Sequence, residues 1–139
     1  MTSATDQFLS LLPNTLGFGP HSIQLISEAQ RALKSQNWVT VIILSATIID
    51  VIRHEDSIFD LNSADDEDGF GGGYFESGGY DYLTSAERKK LEWLRHMRNQ
   101  IVHYEGPIEG MMGRRQDDGI LRGYADKAVS ALLPVLTQD

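Results

Sequence analysis

Apolar positions recur at helical spacing in five stretches of the chain. Phe8, Leu11 and Leu12 make the apolar side of a short helix over residues 5–12, ahead of Pro13. Leu16 to Pro20 has turn chemistry. Residues 22–34 set Ile23, Ile26 and Ala29 or Gln30 along one side, with Leu25, Ala32 and Leu33 nearby, and predict the first substantial helix. Ser35-Gln36-Asn37 allows only a tight reversal. Asn37 is a fair N-cap for a second helix, Trp38 to about Arg53, that must pack antiparallel to the first. Thr84-Ser85-Ala86-Glu87 spells a capping box, so a third helix starts at Ser85. Leu91, Leu94, Met97 and Ile101 give it one apolar face. Asp117 or Asp118 can cap a fourth helix from about Gly119 to Val135, which Pro134 should kink or terminate. The second helix is apolar nearly all round. Its run from Val39 to Ile52 is broken by Thr40, Ser45, Thr47 and Asp50 and is too short to span a bilayer, so it reads as a buried core helix.

The reading is therefore a single all-α domain over residues 1–139: an up-down bundle of four main helices with a short N-terminal helix. Residues 1–20 form an extension, and residues 55–82 an acidic, Gly-rich insert between helices two and three. The length suffices for one core, and no internal repeat is visible. The absence of cysteine excludes disulfides and thiolate metal sites and suits a reducing cytoplasm. The N-terminus does not read as a signal peptide, and no membrane association is expected.

Charge changes the picture in one respect. The net charge of -8 counts against nucleic acid as a partner. However, residues 55–82 hold nine acids and no Lys or Arg, and the remainder of the chain balances at +1. Residues 88–98 carry +4, from Arg88, Lys89, Lys90, Arg95 and Arg98 against Glu92. That run is either a nucleic-acid face or a solvated helix face. Within the insert, Asp65 to Asp68 lack the register of a calcium loop, and the glycines are followed by no Gly-Lys-Ser/Thr. The insert reads as a mobile segment whose aromatics dock locally, and it is also a candidate electrostatic lid over a basic cleft.

Two charged residues fall where a helix should be apolar. Arg98 lies four residues after Leu94 and seven after Leu91, on or beside the apolar face of helix three. Asp50 lies four after Ala46 and seven after Ile43, among groups that will be buried. A buried charge needs a partner, and each is the natural partner of the other. The bland alternative for Asp50 is a place near an exposed helix end, paired with Arg53 or water. For Arg98 the alternative is a surface ion pair or a partner of the helix dipole. His103 closes helix three before Glu105-Gly106-Pro107, where it either acts chemically or caps carbonyls. Asn99, one turn earlier, can orient its ring. His21, His54 and His96 join no ligand constellation, and no metal site or cofactor is expected.

The segment Arg98-Asn99-Gln100-Ile101-Val102-His103, with two helical stretches upstream, one downstream and an acid in the second helix, resembles the Arg-x4-His signature of the HEPN superfamily of small all-helical domains. The resemblance runs from about Ser22 to the C-terminus and omits the insert. It implies a homodimer and a metal-independent endoribonuclease, with a toxin or defence effector as the role such a member would serve. Arg98 and His103 would be catalytic, with Asn99, Asp50 and Tyr104 in support. Arg95, Lys89, Lys90, Arg114 and Arg115 are the candidate RNA contacts; DNA is not an expected partner. An antitoxin or regulatory protein is a further expected partner. In the toxin branch a tyrosine commonly stands two residues after the histidine, whereas here Tyr104 follows His103 directly and Glu105 takes the second place. Many members are non-catalytic, so a dimer that binds RNA, a nucleotide or a protein stands as the alternative.

Overall fold

The computed structural model describes residues 3–59 and 82–137. The elements are α1 (Ala4–Ser10), a 3-10 turn (Pro13–Thr15), α2 (Pro20–Lys34), α3 (Trp38–Phe59), α4 (Ser85–His103) and α5 (Asp117–Leu136). No strand occurs among the described residues, and no helix there is long and apolar enough to cross a membrane. The glycine-rich part of the insert, and with it the lid, lies outside the described residues.

The central element is α3, which packs against α2, α4 and α5, while α1 lies on α5. Its all-round apolarity thus has a physical cause: Val41, Ile42, Ile48 and Ile49 are fully buried against neighbours on several sides. Ile26 and Ala29 of α2, Leu91 and Leu94 of α4, and Val129 and Leu132 of α5 complete the core, with Phe8 from α1. The reversal at Ser35–Asn37 places Gln36 at φ 61°, and the Asn37 amide donates back to the Ala32 carbonyl. At its start, α3 is fastened to α5 by the Trp38 indole N–H, which donates to Asp118 Oδ1 at 3.0 Å.

Several boundaries differ from the sequence-based ones. The first helix ends at Ser10 rather than residue 12, because Leu12 precedes Pro13 and is driven out of helical conformation. Leu12 is exposed as a result, and only Phe8 of the predicted trio is fully buried. The end of α1 is held by Gln30, whose amide donates to the Phe8 and Leu11 carbonyls. Helix α2 begins at Pro20, whose fixed φ suits the first turn. In α4 both arms of the capping box form between Thr84 and Glu87. Neither Asp117 nor Asp118 caps α5: the N-cap position is Gln116, with no side-chain bond. Asp117 instead turns back to accept from the Met112 and Arg114 amides at 2.9 and 2.7 Å, fixing the preceding loop. Pro134 does not terminate α5, which continues to Leu136.

The largest difference is at the end of α3, which continues six residues past the predicted stop at Arg53. Glu55, which composition groups with the acidic insert, is a buried residue of this helix. Its carboxylate sits on the N-terminus of α2. Oε1 accepts from the Ser22 amide at 3.1 Å and the Ser22 hydroxyl at 2.5 Å, and Oε2 accepts from the His21 amide at 3.1 Å. The His21 ring Nδ1 lies 3.0 Å from Oε2. The side chain thus caps a helix from across the core and satisfies orphan N–H groups that α2 cannot satisfy itself, since Gly19 offers no side-chain cap. Burial alone would raise the Glu55 pKa. Donation from Ser22 and His21 outweighs it and holds the carboxyl at about 2.

Candidate active site

Arg98 and Asp50 face each other across the α3–α4 contact, beside Ala46, Ile49, Leu91, Leu94 and Arg95. Arg98 Nη1 donates to Asp50 Oδ2 at 3.3 Å, and Arg98 Nε donates to the side-chain oxygen of Asn99 at 3.1 Å. The two side chains are 25% and 21% exposed, so the pair is neither desolvated nor fully screened by water. No described residue takes Arg98 Nη2. The guanidinium is therefore held at two nitrogens, and its Nη2 N–H groups, unclaimed among the described residues, can donate to an anion such as phosphate.

Asn99 is used differently from the sequence-based reading. Its amide oxygen serves Arg98, and no described residue hydrogen-bonds the His103 ring. His103 is the last residue of α4 and is exposed. It stands five positions after Arg98, a turn of roughly 140° about the helix axis, so the two groups flank the end of α4 rather than share one line.

Directly after it, Tyr104 ends the helix. Its amide and that of Glu105 both donate to the Gln100 carbonyl, and its backbone is left-handed, φ 45° and ψ 74°. Glycine is the residue that suits this conformation. The Tyr104 side chain is exposed and lines a recess with Met111 and Met112. The sequence hinted at a helix stop here in Glu105-Gly106-Pro107, but placed the left-handed residue at no particular position.

The other candidate cations are scattered. Lys89 and Arg115 are exposed, and Lys90 Nζ donates to Ser130 Oγ at 3.3 Å on the α4–α5 side. Arg95 lines the same groove as Arg98. Arg114 is occupied within its own loop, paired with Glu109 and lying 3.4 Å from Asp117 Oδ1. The Arg114 amide is the chief cause that holds the Asp117 carboxyl below its usual range. Among the described residues no group of three or more His, Asp or Glu is arranged to hold a metal ion.

Compared with known proteins, the chain matches no family model, no curated protein and no solved structure.

Proposed function

We propose that this chain is a HEPN-like, metal-independent endoribonuclease with Arg98 and His103 at its catalytic centre. The observation that carries the reading is the Arg98 guanidinium, fixed by Asp50 and Asn99 with Nη2 unclaimed, on the helix that ends in exposed His103. Cleavage requires a base for the 2′-hydroxyl proton, a cation for the crowded phosphate oxygens and an acid for the departing 5′-oxygen. His103 takes the 2′-hydroxyl proton, the 2′-oxygen attacks phosphorus, and the P–O5′ bond breaks to leave a 2′,3′-cyclic phosphate and a 5′-hydroxyl. Arg98 neutralises the phosphate charge as it builds. One imidazole cannot serve both ends of the scissile bond at once. A two-fold dimer supplies the second, with His103 of the partner subunit protonating the 5′-oxygen. A role as a toxin or defence effector, controlled by an antitoxin or another protein, is the biological setting this chemistry suits.

A second reading, a non-catalytic dimer that binds RNA, a nucleotide or a protein through the same face, is favoured by one feature. No described residue orients the His103 ring, whereas a general base is ordinarily held in one tautomer. Cleavage of mixed single-stranded and structured RNA in EDTA separates the two. Arg98→Ala and His103→Ala, each checked for mass and helicity, should lower the rate about 100-fold or more, and the product should carry cyclic phosphate ends. Saturable binding without turnover would replace the ribonuclease by the binding module.

A further inference from the structure

The loop after α4 folds back beside Tyr104 and encloses a recess of about 360 Å³ lined by Ile101, Tyr104, Pro107, Ile108, Met111 and Met112. That volume lies within the roughly 300–1,000 Å³ of small-ligand sites. Its walls are built rather than loose. Ile108 is buried, the Met111 amide donates to the Ile108 carbonyl, and the buried Asp117 carboxylate holds the Met112 and Arg114 amides. At Gly110, φ is 97° and a Cβ would meet Ile120 and Leu121 at 3.1 Å, so the loop lies tight against α5.

Tyr104 is the anomaly in this wall. A left-handed backbone disfavours tyrosine, and the cap hydrogen bonds need only its amide. The ring is 70% exposed and its hydroxyl bonds to no described residue, so the fold gains little from it. Its place is functional in position: it follows His103 directly and opens onto a recess lined by hydrophobic side chains, two of them adaptable methionines. The neighbouring groups select the occupant. Residues 99–113 contain Glu105 and Glu109 and no Lys or Arg, so the recess itself carries no cation; Arg98 precedes it and exposed Arg115 follows it in sequence, and His103 adjoins it. A hydrophobic, aromatic seat that shares the end of α4 with a guanidinium and an imidazole fits a nucleobase whose own phosphate is held at Arg98.

We propose that the Tyr104 recess seats one unpaired base of a single-stranded RNA, next to the phosphate that Arg98 and His103 address, with Tyr104 as the stacking platform. The proposal rests on the ribonuclease reading for its placement but not for its test. Binding is read by fluorescence anisotropy with a labelled single strand carrying 2′-O-methyl groups throughout, which removes the attacking hydroxyl, and cleavage is read separately on the native strand. Tyr104→Gly should fold at least as well as the parent, because glycine relieves the left-handed residue, yet weaken single-strand binding roughly tenfold or more. Tyr104→Trp should keep most of the affinity, and duplex RNA should respond little to either change. Unaltered single-strand affinity in folded Tyr104→Gly would overturn the base seat, even if native RNA is still cleaved. Tyr104-dependent binding with no cleavage of native RNA would leave the seat standing and overturn the ribonuclease.

Discussion

Replacing Glu55 by glutamine tests whether a carboxylate on α3 caps α2 across the core. Ionised Glu55 accepts two backbone amides, the Ser22 hydroxyl and the His21 ring, in a side chain only 10% exposed. Its pKa falls from 4.5 to about 2, which corresponds to up to about 3 kcal/mol of stability carried by the charged form. The sign follows from the direction of the shift. The folded value lies below the unfolded one, so the contribution is complete above pH 4.5 and declines as pH falls toward 2. Glutamine keeps the shape and one acceptor but turns an amide N–H₂ toward the α2 donors. At pH 7 the variant should lose about 2–3 kcal/mol, with more lost for Glu55→Ala, which strands the buried Ser22 hydroxyl. Urea unfolding followed by helical circular dichroism measures both, provided the slope with denaturant is unchanged. Repeated from pH 7 down to the acid transition, the gap between parent and variant should narrow below pH 4.5, which separates Glu55 from the other carboxylates. A gap under about 0.5 kcal/mol that is flat with pH would refute the cross-core cap, since a solvent-exposed ion pair yields no more than that.

Four more outcomes are expected. Gly19→Ala would set a Cβ 2.6 Å from the Glu55 carboxyl and should lose about 1–3 kcal/mol, a loss that Glu55→Ala in the same chain should largely abolish in a double-mutant cycle. Thr84→Ala removes one arm of the α4 capping box and should destabilise by about 1 kcal/mol, read as a lower Tm. Asp50→Ala should lower RNA cleavage at least tenfold by freeing Arg98, while costing no more than about 1 kcal/mol because the pair is partly solvated; equal cleavage would remove Asp50 from the site. The affinity for single-stranded RNA should fall with salt at a slope no steeper than about 3 on logarithmic axes, because the basic residues of 88–115 are scattered and few of them, Arg95 and Arg98 among them, line the groove.

What could be read from the sequence depended on how local the cause was. The α4 start was legible because Thr84 and Glu87 are three residues apart and satisfy each other. The Asp50–Arg98 pair was legible across 48 residues because each charge violated the apolar phase of its own helix, and two such violations imply one another. Glu55 carried no such signal: it sits at the edge of an acidic run, and the amides it caps lie more than thirty residues away. Composition therefore ended α3 too early. Asp117 shows the complementary error. An aspartate before a helix suggests an N-cap, but here two amides of the preceding loop compete for the carboxylate and hold it. Asn99 stands within the motif, and its amide oxygen serves Arg98, one residue away, rather than His103.

The charge distribution and the Tyr104 recess bear on the same question of how a chain of -8 would hold RNA. A protein that binds polyanions through charge alone needs a broad basic surface, and five of the twelve basic residues here lie outside 88–115 among seventeen acids. Long-range attraction is consequently weak or repulsive over much of the chain, and double-stranded RNA, which offers mainly backbone, is a poor match. What remains is short-range: one guanidinium held at two nitrogens, one exposed imidazole, and one exposed aromatic ring against a recess. Stacking on the order of 1–3 kcal/mol per base exceeds what an exposed ion pair contributes, so the ring outweighs any single surface lysine. Such a site would select unpaired nucleotides over duplex because only they can present a base to Tyr104, and it would do so with little dependence on the acidic surface elsewhere.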